Sequence, residues 1–164
     1  MLRLTIVLCI ATAVVYGATQ IVSKRYGDKV RARFLERNPT YTAESLSTWV
    51  QSNPQAAAGY AFPVLFPLDL LFMAFLAAFL TVASFGLAGT VDRLAGVAWL
   101  FVLLPILYLA VDLAEDTMLR RFLLSPNTIT AAIVTTVQML TRIKIWTLSI
   151  SAVQIVLLGL YGIC

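Results

Sequence analysis

Four apolar runs, each long enough to cross a bilayer, are separated by polar segments, and the charges that fall within the runs gather near the ends of three of them. A helix needs about 20 mostly apolar residues to cross hydrocarbon about 30 Å thick. In lipid every backbone polar group must be satisfied internally, which leaves helices or closed barrels as spanning structures. Barrel strands alternate apolar and polar residues, whereas these runs are continuously apolar. The pattern predicts an all-α integral membrane four-helix bundle, a single transmembrane domain over 1–164, with spans about 4–22, 60–89, 94–124 and 126–163. The last two are expected to extend beyond the bilayer as an antiparallel hairpin. Composition agrees: 12% of residues are charged and mean hydropathy is +0.89, against about 25% charged in soluble domains.

The first run resembles a signal peptide in length, with Arg3 before it and small residues near Ala18. Tyr16 stands where cleavage wants a small residue, so a retained helix is the better expectation. The polar stretch 23–59 holds a basic run, Lys24, Arg25, Lys29, Arg31, Arg33 and Arg37, interrupted by Asp28 and Glu36. Such a run reads as a positive-inside signal and as a contact for anionic lipid; it is too short and mixed for nucleic acid. Asn38-Pro39 breaks it. Thr40 or Thr42 then caps a short helix through Ser52, with Leu46, Trp49 and Val50 on one face. A tryptophan on the apolar face of a short helix reads as an interfacial anchor, and that role is assigned to Trp49.

Pro63 and Pro67 distort the start of the second span, and Asp69 follows at once. The third span is uncharged from Leu94 to Asp112, which puts Asp112 about 27 Å along a continuous helix. Ser125 is expected to cap a new helix with Pro126 in its first turn. Six Lys and Arg residues lie in the first loop and four more, Arg120, Arg121, Arg142 and Lys144, join spans three and four, while the opposite side has only Arg3 and Arg93. The positive-inside rule then places both termini outside the cytoplasm.

Under this threading Asp69, Asp112, Glu115, Asp116, Arg120, Arg121, Arg142 and Lys144 gather at one membrane face. Asp112, Glu115 and Asp116 are spaced i, i+3 and i+4 and so share one helix face, and Asp116 to Arg120 continues it in the favourable acid-before-base direction. With four acids and four bases, an ion-pair network is the first expectation, and a non-catalytic role in binding lipid or a partner follows from it. Two alternatives stay open. Asp69, Asp112, Glu115 and Asp116 are hard oxygen ligands of the kind that hold a divalent metal, and an arginine beside them would bind phosphate, as in a metal-dependent enzyme acting on a lipid phosphate or pyrophosphate. Intramembrane carboxylates also mark proton and cation routes, although no charge lies midway along these spans. No cofactor is expected. The sequence has no histidine and neither Cys9 nor Cys164 falls in a metal-binding spacing, which removes the usual zinc and Ser-His designs. Membrane lipids are the expected partners, with a protein partner or a second copy open; both cysteines are expected to be inert packing residues.

The order Leu46-Ser47-Thr48-Trp49, Pro67-Leu68-Asp69-Leu70-Leu71-Phe72, Val111-Asp112-Leu113-Ala114-Glu115-Asp116 and Arg142-Ile143-Lys144 resembles a type of small bacterial four-span membrane protein. That type carries a tryptophan before span two, L-D-x-x-F at its start, D-x-x-E-N in span three and a lysine opening span four. The resemblance covers roughly residues 43 to 150 and implies the architecture, a bacterial inner-membrane location and these positions, but no activity. Asp116 stands where the pattern has asparagine, which adds a negative charge and favours binding of a metal or an arginine.

Overall fold

The computed structural model describes the backbone of residues 1–34 and 40–163 and the side chains of 1–25 and 40–162. Lys29, Arg31, Arg33, Arg37 and the Asn38-Pro39 break, with Asp28, Glu36 and Cys164, lie outside the described residues or side chains. Among the described residues every regular element is helical: α1 (Leu2–Phe34), α2 (Ala43–Ser52), α3 (Pro54–Gly59), α4 (Leu70–Gly89), α5 (Asp92–Ala95), α6 (Leu103–Leu124) and α7 (Ala131–Ile163), with a broken helical segment over Tyr60–Asp69 and two 3₁₀ turns, Ala98–Val102 and Pro126–Thr128. Four stretches are long and apolar enough to cross a membrane: Leu2–Arg25, Pro54–Gly89, Ala98–Leu124 and Ala131–Gly162. The chain is an all-α, multi-pass membrane protein.

Local chemistry explains the breaks. Phe62 (φ −147°, ψ 122°) and Phe66 (φ −138°, ψ 115°) are extended, because the ring of a following proline disfavours the helical region for the residue before it. Pro67 and Asp69 then lead into α4, and an acid at a helix N-terminus is favoured by the helix dipole. The expected continuous third helix from Leu94 is interrupted. The single turn α5 ends at Gly96, Val97 leaves helical geometry, and the chain tightens into a 3₁₀ turn before α6. Ser125 and Pro126 open the 3₁₀ turn Pro126–Thr128, without a side-chain cap, rather than the last helix. Ile129 is extended, and Thr130 takes the capping place, its Oγ1 accepting from Ile133 N–H at 3.4 Å and its carbonyl from Val134 N–H at 3.0 Å. A single-turn connection and a threonine cap thus set ends that hydropathy alone smooths over.

Small residues let α4 and α7 approach closely, as is usual between helices in lipid. Ala77, Ala83, Ser84 and Ala88 are buried on α4, and Thr147 and Ser151 on α7. The hydroxyls of Thr147 and Ser151 donate back to their own helix, and Gln154 Nε2 crosses it to reach Ser84 Oγ and the Phe101 carbonyl, both at 2.8 Å. Apolar Ala88, Ala98 and Leu158 close the bundle one turn beyond Gln154. α1 is the outlier: it leans mainly on α4 and the broken segment, its span is the least covered of the four, and Cys9, expected to pack inward, is exposed.

The other end of the bundle carries its own core. A capping box in which Ser45 N–H donates to Thr42 Oγ1 at 3.2 Å and Thr42 N–H to Ser45 Oγ at 3.0 Å starts α2. Leu46, Trp49 and Val50 then pack with Tyr60, Leu119, Phe122 and Val137. Trp49 is 7% exposed: protein, not lipid, surrounds its ring, because α2 lies over the ends of α6 and α7. Gln138 Nε2 donates to the Tyr41 carbonyl at 2.8 Å and ties this segment to α7. Burial, helped by the charge of Glu115, pushes the Tyr41 phenol up to about 12 from its ordinary 10. Because the folded value lies above the unfolded one, this stability is complete below pH 10 and is lost as pH rises toward 12. The wild-type minus Tyr41→Phe ultraviolet phenolate difference is expected to titrate near 12; a midpoint at 10 would mean that the segment is not docked.

Candidate functional site

Asp112, Glu115 and Asp116 line one face of α6, and their i, i+3, i+4 spacing points all three toward the bundle interior. All are buried: 4%, 1% and 8% exposed, respectively. α7 answers with Lys144, 9% exposed, whose Nζ lies 3.0 Å from Asp112 Oδ1 and 2.6 Å from Glu115 Oε2. The second oxygen of Glu115 accepts from Thr141 Oγ1, one turn before Lys144 on the same helix. Tyr108, one turn earlier on α6, lines the same cavity as Asp112. Tyr108 and Thr141 belong to the site although the sequence reading passed over them; their places one turn from Asp112 and from Lys144 were the available signal.

These groups border a cavity of about 360 Å³. α1 supplies Tyr16, Thr19 and Gln20 to its wall, the broken segment Tyr60, Leu65 and Asp69, and α7 Lys144, Ile145 and Leu148. Tyr16 packs on Phe72 of α4 with ring centroids 5.4 Å apart. Counting along the helices, Asp69 is about 30 Å from Gly89 and Lys144 about 27 Å from Gly162. The cluster therefore sits near one end of the apolar length.

The eight charges expected together do not all meet. Asp69, Asp112, Glu115, Asp116 and Lys144 share the cavity. Arg142 is exposed and among the described residues makes no ion pair with these acids: two positions from Lys144 on a helix, it faces nearly the opposite way. Arg120 and Arg121 also lie outside the cavity. The guanidinium of Arg120 stacks over Phe66, 5.2 Å from the ring centroid, and no Asp116–Arg120 pair forms among the described residues. Both arginines line a separate groove of about 440 Å³ with Leu65, Phe66, Leu70, Met73, Leu113 and Asp116. Around the cavity itself four carboxyls meet one ammonium, so acids and bases are not balanced there.

Asp116 bears the imbalance. Its Oδ2 is buried and has no hydrogen-bond partner among the described residues. A buried carboxyl oxygen without a partner is expensive, and such groups in a native fold point to a ligand, water or ion. The donor set does not fit a divalent metal, since among the described residues no three acids converge at coordinating geometry, and Lys144 fills the space between Asp112 and Glu115. Comparison with family models, curated proteins and solved structures finds no match to this chain.

Lys144→Met strips two buried carboxyls of their cation and is expected to cost about 3–5 kcal/mol. Arg142→Ala should change stability by no more than about 0.5 kcal/mol. Thermal unfolding of both variants in one lipid preparation checks this; equal losses would restore Arg142 to the network.

Proposed function

We propose that this protein is a non-catalytic membrane binding protein whose acidic cavity takes up a cationic group, with Asp116 as the principal contact. The observation that carries the reading is the orphaned, buried Oδ2 of Asp116 beside a cavity where four carboxyls meet a single ammonium. Lys144 neutralises Asp112 and Glu115 in place. Asp116 stands beside them, and the aromatic rings of Tyr16, Tyr60, Phe72 and Tyr108 that line the same cavity suit a cation on their faces. A primary amine fits better than a metal: it brings N–H donors to Asp116 and needs no converging set of oxygens.

The Lys and Arg bias supports a cytoplasmic position for this end of the bundle, with both termini on the other side of the membrane, and the resemblance to small four-span proteins supports a bacterial inner membrane. Trp146, 68% exposed and two residues from Lys144, suits the headgroup level at which tryptophans collect. A transport role finds less support. The polar seam from Lys144 through Thr147 and Ser151 to Gln154 has its hydroxyls bonded to its own helix, and apolar Ala88, Ala98 and Leu158 stand beyond it.

Ethanolamine serves as the probe. Titrated into the full-length protein in detergent, it is expected to raise the thermal midpoint saturably, by mass action worth about 2.7 kcal/mol at a hundred times Kd, and Asp116→Asn should abolish the shift. An unchanged midpoint overturns the reading. So does divalent-metal-dependent turnover of a lipid phosphate that Asp112→Asn removes.

A further inference from the structure

The groove that carries Arg120 and Arg121 shares two wall residues, Leu65 and Asp116, with the acidic cavity. Asp116 thus stands between two chemically different spaces. On one side are carboxyls. On the other is a groove lined by Arg120 and Arg121 together with the apolar Leu70, Met73 and Leu113. From Asp116 the arginines lie one turn further along α6, toward its C-terminal end, and Leu113 lies about one turn the other way, toward the length that crosses the membrane.

We infer that this groove holds a phospholipid with a primary-amine headgroup, its phosphate on Arg120 and Arg121, its ammonium on Asp116 and its acyl chains along Leu70, Met73 and Leu113. This rests on the cation-binding reading above and names the molecule that supplies the cation. The groove brings an acid and two bases together about one helical turn apart, and the two-carbon link of an ethanolamine headgroup spans a short separation between opposite charges. Arginine offers paired donors that match phosphate oxygens. The chemistry of Asp116 selects among headgroups. Its unpartnered Oδ2 is buried in a residue 8% exposed and requires a hydrogen-bond donor; a primary ammonium provides three, a quaternary ammonium none. A glycerol headgroup brings hydroxyl donors but no positive charge to set against the acids.

The test needs no variant at its core. Native mass spectrometry of the full-length wild-type protein is run with phosphatidylethanolamine, phosphatidylcholine and phosphatidylglycerol of identical acyl chains, alongside the ethanolamine titration. The ethanolamine lipid is expected to bind about tenfold to a hundredfold more tightly than either of the others, as one charge-assisted hydrogen bond to a buried group implies. The preference should fall in Arg120→Ala/Arg121→Ala and in Asp116→Asn, whose side chain is nearly the same size. Equal binding of the three lipids with intact, Asp116-dependent ethanolamine binding overturns the lipid assignment and leaves the cation reading standing. Equal binding of the lipids with no ethanolamine response overturns both.

Discussion

Lys144 holds two carboxyls of a neighbouring helix at once, and the arrangement of the bundle follows from that shared ammonium. Taking one charge out of water costs several kcal/mol, and a buried pair recovers it only when geometry and additional hydrogen bonds are good. Here Asp112 and Glu115 both reach Nζ, and Thr141 donates to the far oxygen of Glu115. α6 and α7 are thereby held in one rotational setting, because turning either helix would leave a buried charge without its partner. Lipid offers little hydrophobic drive between helices, so a polar fastening of this kind gives a specificity that apolar packing does not. The core around Trp49 covers it on one side, and Met73, Ala77 and Tyr108 on the other.

Seen from that fastening, Asp116 is a surplus. It lies one turn from Asp112 on the same face of α6, and like charges at that spacing repel. An asparagine at this position would carry no charge and would bring its own donor. Aspartate there makes sense if something else arrives with a positive charge and a hydrogen to donate. Arg120, the obvious candidate at i+4, is stacked on Phe66 instead. The ligand proposed above would occupy the space beside Asp116.

Much of this was legible in the sequence. The four spans, the short helix carrying Leu46, Trp49 and Val50, and the common face of Asp112, Glu115 and Asp116 come directly from hydropathy and helical spacing. Two kinds of error came from counting without geometry. Balancing four acids against four bases ignored that Arg142 and Lys144, two residues apart, face nearly opposite sides of α7, and that Arg120 has an aromatic neighbour brought by the broken segment from another part of the chain. Hydropathy also carried the third span straight through Gly96 and Val97, although Val97 leaves helical geometry and a 3₁₀ turn follows it. Gln154 was legible in principle as the lone amide in an apolar run, but its partners, Ser84 and the Phe101 carbonyl, are set by packing that no local pattern contains. Trp49 was placed on the right face of its helix; what that face meets depended on where α6 and α7 end.

The central claim is that Asp116 is completed by a positively charged donor from outside the chain. A high-resolution structure of the protein extracted with its native lipids tests it most directly. The account requires density for an amine within hydrogen-bond distance of Asp116 Oδ2, continuous with a phosphate against Arg120 and Arg121. A side-chain contact from Arg120 to Asp116, with both spaces empty or filled by acyl chain alone, would contradict it.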